Sequence, residues 1–177
     1  MTQHAELFQK MNTAMSKINS LESVFENDRV EALFLLRDAK ELFQQALTLG
    51  DWPIAHEGMS ACEYLMALND FENGLYLQAI ERSESALKHP EALIKYHTEN
   101  KSPLEEVSEW EVQKASYHLM LAQSYDNLKD EKNGQKYARL VKKTCKKIMD
   151  RFPHGHPIHM MAEEGLRALR HNLQKYL

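Results

Sequence analysis

Apolar side chains recur at steps of three and four along almost the whole of this chain. The first series is Leu7, Met11, Ala14, Ile18, Leu21 and Phe25, which draws one stripe along a helix over about residues 4–26. A β architecture needs a period of two and frequent turns. Six Gly and five Pro in 177 residues give too little punctuation for that, and runs of β-branched residues are few. Ala, Leu, Glu, Lys, Gln and Met, the types that lose least on entering a helix, supply much of the rest. An all-α fold of about seven helices is expected.

Local signals divide the chain. Asp28 and Glu31 have the spacing of a cap and a reciprocal acid. They open a second helix that turns Leu33, Leu36, Ala39, Phe43, Ala46 and Leu47 inward and stops at Gly50-Asp51-Trp52-Pro53. Pro53 starts a third helix, about 53–72, because a first-turn residue needs no amide donor. Asn73-Gly74 marks a turn. A fourth helix follows from about residue 75, kinked or ended by Pro90, with a further turn through Tyr96 and a loop over 97–102. Ser102, Pro103 and Glu105 then combine a cap, a first-turn proline and an acid. The fifth helix runs to about Leu128 and the sixth over about 131–151. Phe152-Pro-His-Gly-His-Pro157 breaks the chain before a seventh that ends near Tyr176. Short connections make antiparallel neighbours: hairpins over about 4–49, 53–96 and 103–151 and a capping helix over about 157–176, in one domain.

The helices also echo one another. Ala39, Phe43 and Ala46 fall on Ala79, Ser83 and Ala86 at an offset of 40, and Gly134, Ala138 and Val141 repeat the spacing 55 further on. Hairpins of this kind bury a continuous core only when stacked. The segment from Leu65 to Ala86 resembles the tetratricopeptide repeat family, with Ala67 at the small place of the first helix, Gly74 at the turn, Tyr76 opening the second helix, and Ala79 and Ala86 at its small places. A second unit runs from Leu121 and Ala122 through Tyr125 and Gly134 to Val141. The long sixth helix followed by Gly155-His156-Pro157 is similar to the extended repeats of kinesin-light-chain-type proteins. The resemblance covers roughly residues 28–170 and departs from the family in its irregular spacing. It implies hairpins stacked in a right-handed superhelix and a non-catalytic interaction module, whether scaffold, adaptor or regulator. Such a module holds a partner helix or peptide in a concave groove.

Carried onto this sequence, the groove places are Tyr64, Leu68 and Phe71 with Ala61 and Glu72, then Leu119, Gln123 and Asn127 with Ser116 and Asp126. The carboxylate clamp of some relatives needs Lys and Asn where Tyr64/Leu68 and Leu119/Gln123 stand here. The resemblance thus implies an apolar occupant, an amphipathic helix or hydrophobic peptide. The competing account is that Tyr64, Leu68 and Phe71 simply pack against the first two helices.

Charge is unevenly spread. The first 130 residues carry 11 Lys/Arg and 22 Asp/Glu, the last 47 carry 11 and 4, for a net charge of −4. The sixth helix alone holds Lys132, Lys136, Arg139, Lys142, Lys143, Lys146, Lys147 and Arg151. Such a face suits an acidic protein partner or head-to-tail contact with a second copy. RNA is the weaker alternative, since no aromatic is interleaved for base stacking. A merely solvated face competes with both.

His154, His156 and His159 are imidazoles of the kind transition metals favour. No Cys or carboxylate is expected at ligand spacing, so neither metal nor cofactor is anticipated. Glu105-Glu106 and Glu163-Glu164 read as first-turn acids. Nucleophile elbow, phosphate loop, dinucleotide fingerprint and zinc-protease motif are all missing from the sequence, and no enzymatic activity is expected. Two cysteines, Cys62 and Cys145, are too few for a disulfide framework. The N-terminus shows no secretory signal, and the longest apolar run, Ala32 to Leu36, is far too short for a membrane span. A cytoplasmic protein follows as the expectation. A ligand- or peptide-sensing regulatory domain is the alternative function.

Overall fold

The computed structural model describes residues 3–19, 21 and 29–176. Phe25 and Asp28 lie outside the described residues. The described residues form an all-α fold: α1 (Gln3–Asn19), α2 (Arg29–Leu49), α3 (Pro53–Glu72), α4 (Tyr76–Ala86), α5 (Lys88–Glu99), α6 (Leu104–Asn127), α7 (Glu131–Arg151) and α8 (Pro157–Asn172), with a final 3-10 turn Gln174–Tyr176. No strand occurs among them.

Several boundaries have visible causes. Pro53 stands at the first position of α3 behind an extended Trp52. Gly74 takes φ +74° in the turn before α4, a conformation that costs a glycine little. Asp130 caps α7 by accepting from the Asn133 amide at 3.1 Å. α4 and α5 are divided at Leu87, which keeps helical dihedrals (φ −55°, ψ −26°). Pro90 has no amide to give the Ala86 carbonyl, and its ring crowds that same carbonyl.

Three boundary expectations need correction. α5 runs through 97–99, which were expected to be loop, and ends at Glu99. Ser102 does not cap α6: its hydroxyl lies 3.0 Å from His97 Nδ1, and Pro103 occupies the cap position with no side-chain bond. The last helix stops at Asn172 rather than near Tyr176, where the chain tightens into the 3-10 turn.

Packing follows a simple pattern. Each helix lies against the next, while α1, α3, α6 and α8 also touch in sequence, α3 and α6 only narrowly. The backbones of α2, α4 and α7 stay apart among the described residues, although α7 reaches α4 through Tyr137, whose hydroxyl donates to the Glu84 carboxylate at 3.1 Å. α5 sits between α3 and α6, which is why those two meet over a short stretch only. Two apolar clusters result. The first joins Met11, Ile18 and Leu21 with Leu36, Phe43, Met59 and Cys62 across α1–α3. The second joins Leu121, Tyr137, Val141, Ile148, Ile158, Leu166 and Leu169, mainly across α6–α8. The α2–α3 crossing depends on Gly58, where an added Cβ would come within 2.3 Å of the fully buried Phe43 ring.

The seam between the clusters is polar. Tyr117, completely buried, donates from its hydroxyl to the Ser60 carbonyl at 2.6 Å. His56 Nδ1 and His89 Nδ1 lie 2.9 Å apart, and His56 Nε2 reaches the Asp51 carboxylate at 2.6 Å. A carboxylate only accepts, so Nε2 of His56 carries a proton. Burial, and secondarily the facing His56, lower the His89 pKa to about 3, keeping that ring neutral. On the other side of α3, buried Glu63 pairs with Lys40 at 2.7 Å, and buried Asp70 with Arg82 at 2.8 Å. These pairs compensate charges that would otherwise be costly to bury.

Candidate functional site: a three-helix cleft and the outer face of α7

α3, α6 and α8 enclose a cleft of about 280 Å³. Tyr64 supplies one wall, Val112, Ser116 and Leu119 of α6 another, and Met161, Glu164 and Ala168 of α8 the third. Val141 and Cys145 of α7 form its floor. The Tyr64 ring stands edge-on to Tyr117 at 5.5 Å between centroids, and burial raises its phenol pKa. The hydroxyl therefore stays protonated and available as a donor at neutral pH. Gly165 keeps the floor low: an added Cβ there would press to 3.2 Å from Cys145 Sγ. The lining is apolar with a single carboxylate, Glu164, at the rim.

Of the groove residues expected from the sequence, Tyr64, Ser116 and Leu119 meet in this cleft. The others do not line it. Phe71 stands edge-on to Tyr76 at 5.5 Å, and Leu68 is half-buried on the same helix. Gln123, also half-buried, accepts through its carbonyl from the exposed Asn127 side chain at 2.9 Å. The wall supplied by α8 was not foreseen, because that helix was read only as a cap. Its legible signal was the adjacent Met160-Met161 pair, both about half exposed.

The basic stripe is real but smaller than the sequence suggests. Lys132, Lys136, Arg139, Lys143 and Lys146 are exposed along one face of α7, opposite Val141 and Cys145 in helical register. Lys136 also lies 4.8 Å over the Tyr137 ring. Lys147 and Arg151 point elsewhere and pair with Glu111 of α6, the former at 2.9 Å. Their charge is engaged in holding α7 to α6.

The histidine loop also departs from expectation. His156 caps α8, accepting from the Ile158 amide at 3.3 Å, as a loop histidine often does. Glu163, read as a first-turn acid, stands seven residues into α8, which has no acid in its first turn. It lies beside His154 and His159, with ligand atoms of all three within 4.8 Å of one another. The expectation that no carboxylate accompanies these histidines is therefore wrong: His159 and Glu163 are four apart, one turn on the same helix face.

A second depression, of about 460 Å³, opens between α1 and α2 over Ala14, Ile18, Leu35, Ala39 and Leu42. Both cysteines are free and buried, one in each cluster. Burial pushes the Cys62 thiol up to about 12 and the Cys145 thiol to about 11, so both are inert thiols at neutral pH. No helix is long and apolar enough among the described residues to cross a membrane. In comparisons with known proteins, the chain matches no family model, no curated protein and no solved structure.

Proposed function

We propose that this chain is a non-catalytic protein-interaction module, a scaffold, adaptor or regulator, that holds an apolar-faced helix or peptide of a partner. The carrying observation is the cleft bounded by Tyr64, Leu119 and Met161, whose walls come from three different helices. A mostly apolar furrow between helices, with one carboxylate and one phenol at its edge, suits a helix seated by a few side chains at i, i+3 and i+4. In the same proposal the helices are degenerate tetratricopeptide-like hairpins. The packing order supports this, with α1, α3, α6 and α8 meeting in succession and the backbones of α2, α4 and α7 staying apart among the described residues.

The exposed cations of α7 lie opposite the cleft floor and act at longer range, steering an acidic partner and raising its rate of association. That term fades as ionic strength rises, because charges beyond about 8–10 Å are screened at physiological salt. Two inert buried thiols suit a reducing, cytoplasmic setting.

Selection of peptides from a displayed random library on the parent chain tests the reading. The selected peptides share apolar residues at helical spacing and bind S116W at least tenfold more weakly, because an indole at position 116 fills the cleft. Selected peptides that bind S116W as well as the parent contradict it.

A further inference from the structure

Away from the cleft, the connection from α7 to α8 brings three metal-ligating side chains together. Gly155 turns with φ +89°, and His154 folds back so that its ring centroid lies 5.2 Å from that of His159. Glu163 follows one turn further along α8, and a ligand atom from each of the three falls within 4.8 Å of the others. An ion bound at about 2.0–2.1 Å in a tetrahedron holds its ligands roughly 3.4 Å apart. His154 is exposed, so its side chain has room to turn toward the other two ligands.

A second observation concerns the orientation of His159. This ring is more than nine-tenths buried, and its Nδ1 lies 2.9 Å from the Phe152 carbonyl oxygen. A carbonyl can only accept, so Nδ1 carries the proton and Nε2 presents its lone pair. That is the arrangement by which a backbone carbonyl fixes the tautomer and heading of a metal-binding imidazole. Glu163 has no Lys or Arg partner among the described residues, so its charge is not already neutralised by one. His156, by contrast, is committed to capping α8 and to stacking on Phe152 at 4.7 Å.

We propose that His154, His159 and Glu163 form a site for Zn²⁺ or a chemically similar divalent first-row ion. Two imidazoles and a carboxylate suit such ions better than Mg²⁺ or Ca²⁺, which favour all-oxygen shells. Three protein ligands leave a fourth position open to water. The bound ion ties the 152–156 connection to α8 and stiffens the α7–α8 end of the molecule. This site is independent of the peptide-binding proposal.

The test is titration of the tag-free, chelator-stripped chain with Zn²⁺ alone, against a competing chromophoric chelator. One equivalent binds, H154A and E163Q each weaken it tenfold or more, and H171A leaves it unchanged. His171 is exposed near the end of the same helix, so H171A reports adventitious binding to surface imidazole. Zn²⁺ binding equally well to H154A and E163Q, or losing as much in H171A, overturns the proposal. Co²⁺ gives a second readout: visible ligand-field bands of a four-coordinate ion in the parent and their loss in H154A. Neither His154 nor Glu163 belongs to a buried cluster, and circular dichroism verifies that both variants fold.

Discussion

The two ends of the molecule use the same helical grammar and finish it differently. At the C-terminal end α6, α7 and α8 close around Leu121, Val141, Ile148 and Leu169, and the remaining opening is the narrow cleft faced by Tyr64. At the N-terminal end a wider depression opens between α1 and α2 over Ile18 and Leu42. The α2–α3 crossing is close, with Gly58 against Phe43. Among the described residues, no helix besides α1 and α2 lines that depression. Stacked hairpins bury a face only where a neighbour covers it, so the closed end holds a small furrow and the other a broader one floored by Ala14, Ile18 and Ala39. Between them, the seam is bonded by Tyr117, His56 and His89 rather than by aliphatic packing alone.

Cutting the N-terminal cluster has the largest expected effect. Phe43→Ala empties a fully buried site and costs about 3–5 kcal/mol. Hydrogen exchange should show the loss concentrated in α1–α3, with amides of α6 and α7 keeping most of their protection. Equal loss at both ends would merge the two clusters into one cooperative unit.

Acid acts on the seam and its flank. Burial lowers His89 to about 3 and His118 to about 4, below the ordinary value near 6.5. Below about pH 6.5 the unfolded chain binds protons that the folded chain refuses, so stability falls as pH drops toward 4. Each such proton contributes about 1.4 kcal/mol per pH unit. Denaturant midpoints measured from pH 7 to 4.5 should decline, and H89Q should flatten the decline. A midpoint independent of pH in the parent would contradict neutral burial of these rings.

A smaller effect is expected from Tyr117→Phe, which removes the hydroxyl bonded to the Ser60 carbonyl and leaves the ring. A loss of about 1 kcal/mol is predicted by thermal or chemical denaturation. Smaller still is Glu111→Gln on α6, which releases Lys147 and Arg151 and costs about 0.5–1 kcal/mol at low salt. Its effect shrinks as salt is added.

Much of the helical frame was legible because its signals are local. Pro53 fixes where α3 begins, Asn73-Gly74 where it ends, and the 131–151 span of α7 agrees with its pattern of inward Gly134, Ala138 and Val141. Gly134 shows the limit of such reading. Its small size matches the repeat pattern, yet the nearest atom an added Cβ would meet is the Tyr176 hydroxyl, at 3.0 Å, on a segment that no repeat logic places there. The cleft was half legible: Tyr64, Ser116 and Leu119 came from the resemblance, while Met161, Glu164 and Ala168 depend on how α8 returns across α6. Helical spacing specifies which face a residue takes, not which distant helix covers it. Glu163 was obscured by the opposite error, in which a general preference for acids in first turns displaced the four-residue step from His159.

The cleft and the outer face of α7 make competing demands on one partner, and proximity separates them. A photocrosslinking amino acid in place of Met161, and in a second variant in place of Lys136, is irradiated with a peptide selected on the parent chain. The account predicts crosslinks from position 161 and little or none from position 136. Crosslinking confined to position 136 would contradict the cleft as the binding surface.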